Sequence, residues 1–364
     1  MKKNIAFLIG GINAGGTENY LLRFLQFYSE DIEATVYCKS GKLGELEVEF
    51  KKIGIKLVPF YIGYLNPKRF YLLKKEFQKN RFDTVCDLTG SFGALPLWIA
   101  QYAKIHKRVA FYRNSSEKFS KTFFKIQYNK FITKLLPKVA TKILSNSKTA
   151  FNYFYPNFNW QDDSKFEVIY NGIDAASFLK HNGDLRDELN IDNNAFVVGH
   201  VGRLNEQKNH DTMIQVAKEL CRTNKDIVFI FCGKNVGEKY EDEIKKEGLQ
   251  NQIHFLGVRR DIDRVLRTMN CFYFPSLVEG QPNALIEAMM SGVPFVASDI
   301  EPIKETVPEK YFGQLVSPLN VEEAKNKILE IKNDPSKKTE LNLADWAIEF
   351  YNPRKWFKLF YDTL

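Results

Sequence analysis

Short apolar runs recur along this chain, and each is followed by a turn and then by residues with helical spacing. Strands are expected near Asn4–Ile9, Ala34–Cys38, Lys56–Val58, Thr84–Asp87, Arg108–Phe111 and Lys142–Leu144. They resume at Phe196–Val201, Ile227–Cys232, Ile253–Leu256, Cys271–Phe274 and Phe295–Ala297. Strands alternating with helices restrict the chain to the α/β class, with parallel sheets covered on both faces. The 364 residues exceed what one such core usually holds, so two domains are expected. Periodicity fades over Phe151–Lys165, a short strand begins at Phe166, and Asn171-Gly172 makes a turn. The boundary is therefore placed near residue 170. Residues 1–169 form the first domain, joined by a terminal helix over about 350–364, and 170–349 form the second. Helices are also expected near Val321–Lys332 and Lys337–Phe350.

Charge is divided unevenly. Residues 51–150 hold 21 Lys and Arg against 4 Asp and Glu, whereas the whole chain holds 52 against 44. The segment from Lys118 to Val139 interleaves Lys118, Lys121, Lys125, Lys130 and Lys134 with Phe119, Phe123, Phe124, Tyr128 and Phe131. This pattern suits a helix resting on an anionic membrane surface, with aromatic rings among the head groups. A core helix with solvated lysines is the competing reading. Nucleic acid is not expected, since no nucleic-acid motif accompanies the patch. No apolar run is long enough to span a bilayer. The start, MKKNIAFLIGG, reads as a first strand rather than a signal peptide. Five scattered cysteines read as apolar fillers in a reducing cytoplasm. The expected location is thus cytoplasmic and peripheral, on the inner face of the plasma membrane.

The stretch Ser276–Pro294, SLVEGQPNALIEAMMSGVP, carries the sharpest chemistry. Cys271–Phe274 precedes it as a buried strand. Glu279 and Gly280 fall in the following loop. Pro282 is expected in the first turn of a helix that ends at Gly292 and Pro294. Glu279 then lies before a helix N-terminus and Glu287 inside it. The amides of Asn283, Ala284 and Leu285 point out of that end, where an anion is favoured. Two further cations, Arg203 and Lys208 in GRLNEQKN, follow the Phe196–Val201 strand. At the carboxyl edge of a parallel sheet, such a pair suits a pyrophosphate. Nearer the start, GGINAGGTEN lies between a strand and a helix and lets a ligand approach the backbone. It is neither a dinucleotide fingerprint nor a P-loop.

Arg260-Asp261-Ile262-Asp263 contains a D-x-D, read as helix capping rather than metal binding. No other acidic, His or Cys cluster has ligand spacing. No metal or cofactor is therefore expected.

Glu279-x7-Glu287 within EGxPxxxxEAMxxGxP resembles the signature of retaining glycosyltransferases of family four. Arg203 with Lys208, the Phe255-Leu256-Gly257 turn, and Gly15-Gly16-x-Glu18 also match that family. The resemblance implies a GT-B fold: two Rossmann-like domains with parallel sheets facing across a cleft. The first would bind the acceptor and the second the nucleotide sugar. It implies transfer of a sugar from a nucleotide diphosphate to a hydroxyl, with retained anomeric configuration and no protein nucleophile. Glu279, Arg203 and Lys208 would be catalytic, with Glu279 orienting the sugar and Glu287 bonding the ribose. Gly15, Gly16, Gly233, Gly280 and the Asn283–Leu285 amides would meet the donor, and Val258 and Arg259 the base.

Family members often carry a first-domain His near the sugar. Here that place reads Phe111-Tyr112-Arg113-Asn114-Ser115, so Arg113 or Asn114, with Glu18, would serve the acceptor side. The expected donor is a UDP-sugar, by its frequency in the family. The expected acceptor is a saccharide, lipid-linked, in bacterial capsule, exopolysaccharide or lipopolysaccharide assembly. Competing readings are a non-catalytic GT-B scaffold subunit, a GT-B nucleotide-sugar epimerase and, weakest, a nicotinamide dehydrogenase.

Overall fold

The computed structural model describes all residues except 1, 14, 64–65, 114–122 and 180–182, and only the backbone of Ser177. Asn114, Lys118, Phe119 and Lys121 therefore lie outside the described residues. The chain divides into two compact units: Met1–Gly172 with Pro353–Leu364, and Ile173–Asn352.

In the first unit, β1 (Lys3–Ile9), β2 (Ile32–Cys38), β3 (Lys56–Pro59), β4 (Thr84–Asp87), β5 (Lys107–Tyr112), β6 (Lys142–Ser145) and β7 (Phe166–Val168) form one sheet. Its order is β3-β2-β1-β4-β5-β6-β7, and every pairing is parallel. The central strands are apolar along their length, as burial on both faces requires: Ile5 to Leu8 of β1 are fully buried.

The Pro353–Thr363 helix belongs to this unit and closes an aromatic cluster. Phe360 packs 4.5 Å from Phe24 and 5.1 Å from Phe111, and Phe357 packs 5.5 Å from Tyr20. Each such ring buried is worth about 1.5–3 kcal/mol. Lys3 Nζ and Lys107 Nζ donate to the carbonyls of Tyr361 and Leu364. Gly172 is glycine because a Cβ there would lie 2.8 Å from Pro353 Cα.

In the second unit, β8 (Phe196–Val201), β9 (Ile227–Cys232), β10 (Ile253–Gly257), β11 (Cys271–Phe274), β12 (Phe295–Ser298) and β13 (Leu315–Val316) form a parallel sheet. The order is β10-β9-β8-β11-β12-β13.

Several expectations are corrected. The two-residue strand β13 was not expected. It is too short to show a period. The helix expected over Lys337–Phe350 is two helices, Ser336–Glu340 and Ala344–Phe350. Leu341 is buried between them, and Asn342 Oδ1 accepts from Ala344 N to start the second. Pro282 is the residue before the helix, not within its first turn.

The basic segment gives a helix over Phe123–Val139. Ile132, Leu136 and Val139 are buried, while Phe123, Phe124 and Phe131 are exposed at 69%, 85% and 51%. Among the described residues no helix is long and apolar enough to cross a membrane. All five cysteines are buried free thiols.

Candidate active site

The strand order of the second sheet reverses between β8 and β11. Ligands of open α/β sheets bind at the carboxyl edge of such a switch point, where two loops diverge. Here those loops are Gly202–Asn209 and Pro275–Gln281. They are fastened to each other. Leu277 N donates to Gln207 O at 2.8 Å, and Asn209 Nδ2 donates to Pro275 O at 3.1 Å and Pro318 O at 2.6 Å. Asn209 adopts φ 59°, the left-handed region asparagine tolerates, which lets the His210–Thr223 helix start directly after the turn.

This fastening brings two of the expected catalytic residues into contact. Lys208 Nζ donates to Glu279 Oε1 at 2.6 Å, and Lys208 also lies 4.6 Å from the ring centre of Phe274. The side chains are 23% and 10% exposed, so the pair is largely out of water. Arg203 is exposed and makes no ion pair among the described residues. It stands directly beyond Gly202 on the same loop.

Behind Glu279, the Asn283–Met290 helix begins with Pro282 as the preceding residue and no side-chain cap on its amides. The first bond back into the helix is Ile286 N to Pro282 O. Asn283, Ala284 and Leu285 thus supply the amides that a helix start leaves to other partners. Glu287, 9% exposed, lies on the second turn. Gly292, at φ 70°, ends the helix in the left-handed conformation expected of it.

A buried layer supports the β8 loop. His200 and His210 are 1% and 2% exposed, with ring centres 5.2 Å apart. His200 Nδ1 donates to Tyr273 O at 3.0 Å. Burial holds His200 well below the ordinary histidine range and pushes His210 down to about 4. Both rings are therefore neutral at physiological pH. A Cβ at Gly202 would lie 2.6 Å from His200 Nε2, and one at Gly233 would fall on the carbonyl oxygen of Gly202. Gly233, expected to meet the donor, thus lets two loops cross. Ten positions separate the two histidines in the sequence, and the turn from β8 into the His210–Thr223 helix folds one over the other.

Val258 is 73% exposed beyond β10. Arg259 forks onto Asp261, with Nε–Oδ1 at 2.9 Å and Nη2–Oδ2 at 2.8 Å, and reaches Glu188 at 2.6 Å. This corrects the D-x-D reading. Asp261 precedes the Ile262–Thr268 helix, yet its side chain makes no capping bond. The guanidinium takes it instead and holds the Asp261 carboxyl down to about 2. No cluster of three His, Cys, Asp or Glu side chains placed to hold a metal occurs among the described residues.

Gly15, Gly16, Glu18 and Arg113 belong to the first unit. Gly15 precedes the Gly16–Phe27 helix, which has no side-chain cap. A Cβ at Gly15 would lie 2.5 Å from Glu18 Oε2, so the spacing Gly15-x-x-Glu18 makes room for that carboxylate. Space beside Gly16 is open. Arg113 follows β5 and is buried, with its guanidinium carbon 3.6 Å from the ring centre of Tyr20.

Two parallel sheets, each with its order reversing beside the first strand, are the two Rossmann-like folds of the GT-B class. Residues 14–177 match Glycosyltransferase Family 4, and residues 182–346 match Glycosyl transferases group 1. The chain belongs to this glycosyltransferase family and is an enzyme of that class.

Among its relatives, the capsular polysaccharide biosynthesis glycosyltransferase CapH of Staphylococcus aureus is 28% identical over 85% of this chain and 84% of its own. A UDP-Gal:alpha-D-GlcNAc-diphosphoundecaprenol alpha-1,3-galactosyltransferase of Escherichia coli is 31% identical over 48% of this chain and 46% of its own. The crystal structure of Anabaena Alr3699/HepE in complex with UDP-glucose superposes with a TM-score of 0.82 at 21% identity, over 99% of this chain and 98% of that one.

Proposed function

We propose that this enzyme moves a sugar from a nucleoside diphosphate sugar, a UDP-sugar by preference, to a hydroxyl of a lipid-linked saccharide during cell-surface polysaccharide synthesis. The observation that carries the reading is the Lys208–Glu279 pair at the switch point, in front of the uncapped Asn283–Met290 helix. A departing diphosphate develops negative charge, and Lys208, Arg203 and the Asn283–Leu285 amides are the groups that stabilise it. Glu279 accepts hydrogen bonds from sugar hydroxyls and Glu287 from the ribose. Configuration is retained as in the family, with the leaving phosphate receiving the acceptor's proton. In this reading no metal takes part, because the cations and the helix end neutralise the phosphates.

Relatives support the rest. CapH serves capsule synthesis by its name, the E. coli enzyme uses UDP-Gal and a diphosphoundecaprenol acceptor, and the HepE structure holds UDP-glucose. The lysine-rich Phe123–Val139 helix, with its exposed phenylalanines, suits a peripheral enzyme whose acceptor sits in an anionic membrane on the cytoplasmic side.

A thermal-shift screen against UDP-, GDP-, ADP- and CMP-sugars, with and without EDTA, tests this reading. A ligand that binds only the folded protein raises its melting temperature. A shift with UDP-sugars that survives EDTA and is lost in Glu287→Ala supports it. A flat response to all four classes favours a scaffold subunit, and conversion of the donor without acceptor favours an epimerase.

A further inference from the structure

The loops that leave β8, β11 and β13 meet at the side chain of Asn209. Its amide donates to Pro275 O, directly after β11, at 3.1 Å and to Pro318 O, after β13, at 2.6 Å. Its Oδ1 accepts from Thr212 Oγ1 at 2.9 Å. These partners fix which way the amide points. Carbonyl oxygens only accept, so Nδ2 faces both of them, and the hydroxyl takes the oxygen side. Asn209 and Thr212 are both buried, so these bonds are made out of water. All of these residues belong to the second unit.

The backbone at this position does not need asparagine. At φ 59° glycine costs least, and it would carry the chain from the Glu206–Lys208 turn into the His210–Thr223 helix equally well. What asparagine adds is the amide, next in the chain to Lys208. The turn that presents Lys208 is also held on its other side. Asn205 Oδ1 accepts from Gln207 N at 2.9 Å, and Gln207 O accepts from Leu277 N at 2.8 Å. Lys208 therefore leaves a turn fixed at both ends and reaches Glu279 Oε1 at 2.6 Å. An ammonium on a flexible four-carbon stem has no preferred direction of its own. Where it stops depends on the backbone it starts from and the partner it meets.

We propose that Asn209 is a positioning residue for the transfer reaction: its amide sets the spacing between the loops after β8 and β11, and so holds Lys208 against Glu279. The loop after β13 is the third anchor, through Pro318, which gives that two-residue strand a part in supporting the site. That Lys208 and Glu279 meet the donor rests on the function proposed above; the spacing of the loops does not.

The test uses the full chain with Asn209→Gly, which keeps the left-handed turn and removes the amide. Thr212→Val keeps the shape of the threonine and removes the hydroxyl that orients the amide; it takes over should Asn209→Gly fail to fold. The first readout needs no ligand. Melting temperatures are measured for Lys208→Met, Glu279→Gln and both changes together, once with Asn209 and once with Asn209→Gly. With Asn209 the two changes are non-additive, and with Asn209→Gly they become nearly additive, because the side chains no longer meet at a fixed distance. Lower stability that leaves the non-additivity intact overturns the proposal, since the amide then only holds the fold. Additivity already present with Asn209 overturns it as well.

The second readout is release of UDP from UDP-glucose. A misplaced cation costs turnover more than binding, so Asn209→Gly lowers kcat about tenfold and moves KM by less. Thr212→Val acts in the same direction with a smaller loss. Added to Lys208→Met, Asn209→Gly brings little further loss, because it acts through that lysine. Wild-type kcat in Asn209→Gly overturns the proposal by showing that the position needs only its left-handed backbone. An equal loss in the presence and absence of Lys208 overturns it too. If UDP-glucose is neither bound nor turned over by any variant, wild type included, the proposed donor class fails instead, and the melting cycle alone decides for Asn209.

Discussion

Lys208 Nζ donates to Glu279 Oε1 across 2.6 Å, joining the loop after β8 to the loop after β11. The two residues are expected to serve different parts of one donor, the cation its phosphates and the carboxylate its sugar. Each is the other's partner, which keeps both positioned. Glu279→Gln is expected to lower turnover about a hundredfold or more, and Lys208→Met to do likewise. Each single change leaves a largely buried partner short of its counter-charge, so each costs about 1–3 kcal/mol of stability. The double variant costs less than the sum of the two. Melting curves for the full cycle check this, and strict additivity would mean that the pair is not coupled.

Gly233 provides a separate test of how the β8 loop is held. Its Cβ would fall on the carbonyl oxygen of Gly202, and Gly202 N already donates to Cys232 O at 2.8 Å. Gly233→Ala is expected to push the Gly202–Arg203 backbone away and to destabilise the protein by about 1–3 kcal/mol. Nucleotide-sugar affinity falls with it. Calorimetry on the folded variant separates the two effects: unchanged affinity would show that the loop crossing has no bearing on the donor.

Much of this was legible in the sequence. Central strands such as Phe196–Val201 and Cys271–Phe274 announce themselves because burial on both faces makes them continuous apolar runs between turns. The order of Glu279, Gly280 and the Asn283 helix start was legible for the same reason, since local signals of strand, turn and helix follow one another. What was not legible depends on long-range folding. Lys208 and Glu279 are 71 positions apart, and only the adjacency of β8 and β11 makes them a pair. Asp261 had the local signature of a cap, yet a fork from Arg259 took its carboxylate.

The histidine layer beneath the β8 loop predicts an acid limit on stability. His200 and His210 are held neutral in the folded protein, with pKa values below the ordinary 6.5, His210 at about 4. In the unfolded chain both take up a proton near 6.5. Below that pH the unfolded state binds more protons, so stability is complete above 6.5 and declines as pH falls toward 4. The slope is on the order of 1 kcal/mol per pH unit for each histidine. His210→Gln is expected to flatten the decline between pH 6.5 and 4 by its share. Urea titrations across that range measure it, and an unchanged slope would show that other groups set the limit.

The Phe123–Val139 helix separates the membrane reading from a soluble one. Its inner stripe, Ile132, Leu136 and Val139, is covered by the first unit, whereas Phe123, Phe124 and Phe131 are exposed and Lys125, Lys130 and Lys134 stand among them. Aromatic rings and lysines of this kind add about 1 kcal/mol per basic residue near an anionic surface, plus the burial of the rings. The full-length enzyme is expected to sediment with vesicles containing phosphatidylglycerol and not with neutral phosphatidylcholine vesicles. Phe123→Ser with Phe124→Ser should reduce that binding about tenfold without changing the melting temperature, because neither ring packs into the core. Raising salt to 0.5 M should weaken what remains. Equal sedimentation of wild type and the double variant would remove the phenylalanines from membrane contact and leave the helix as a solvated face of the first unit.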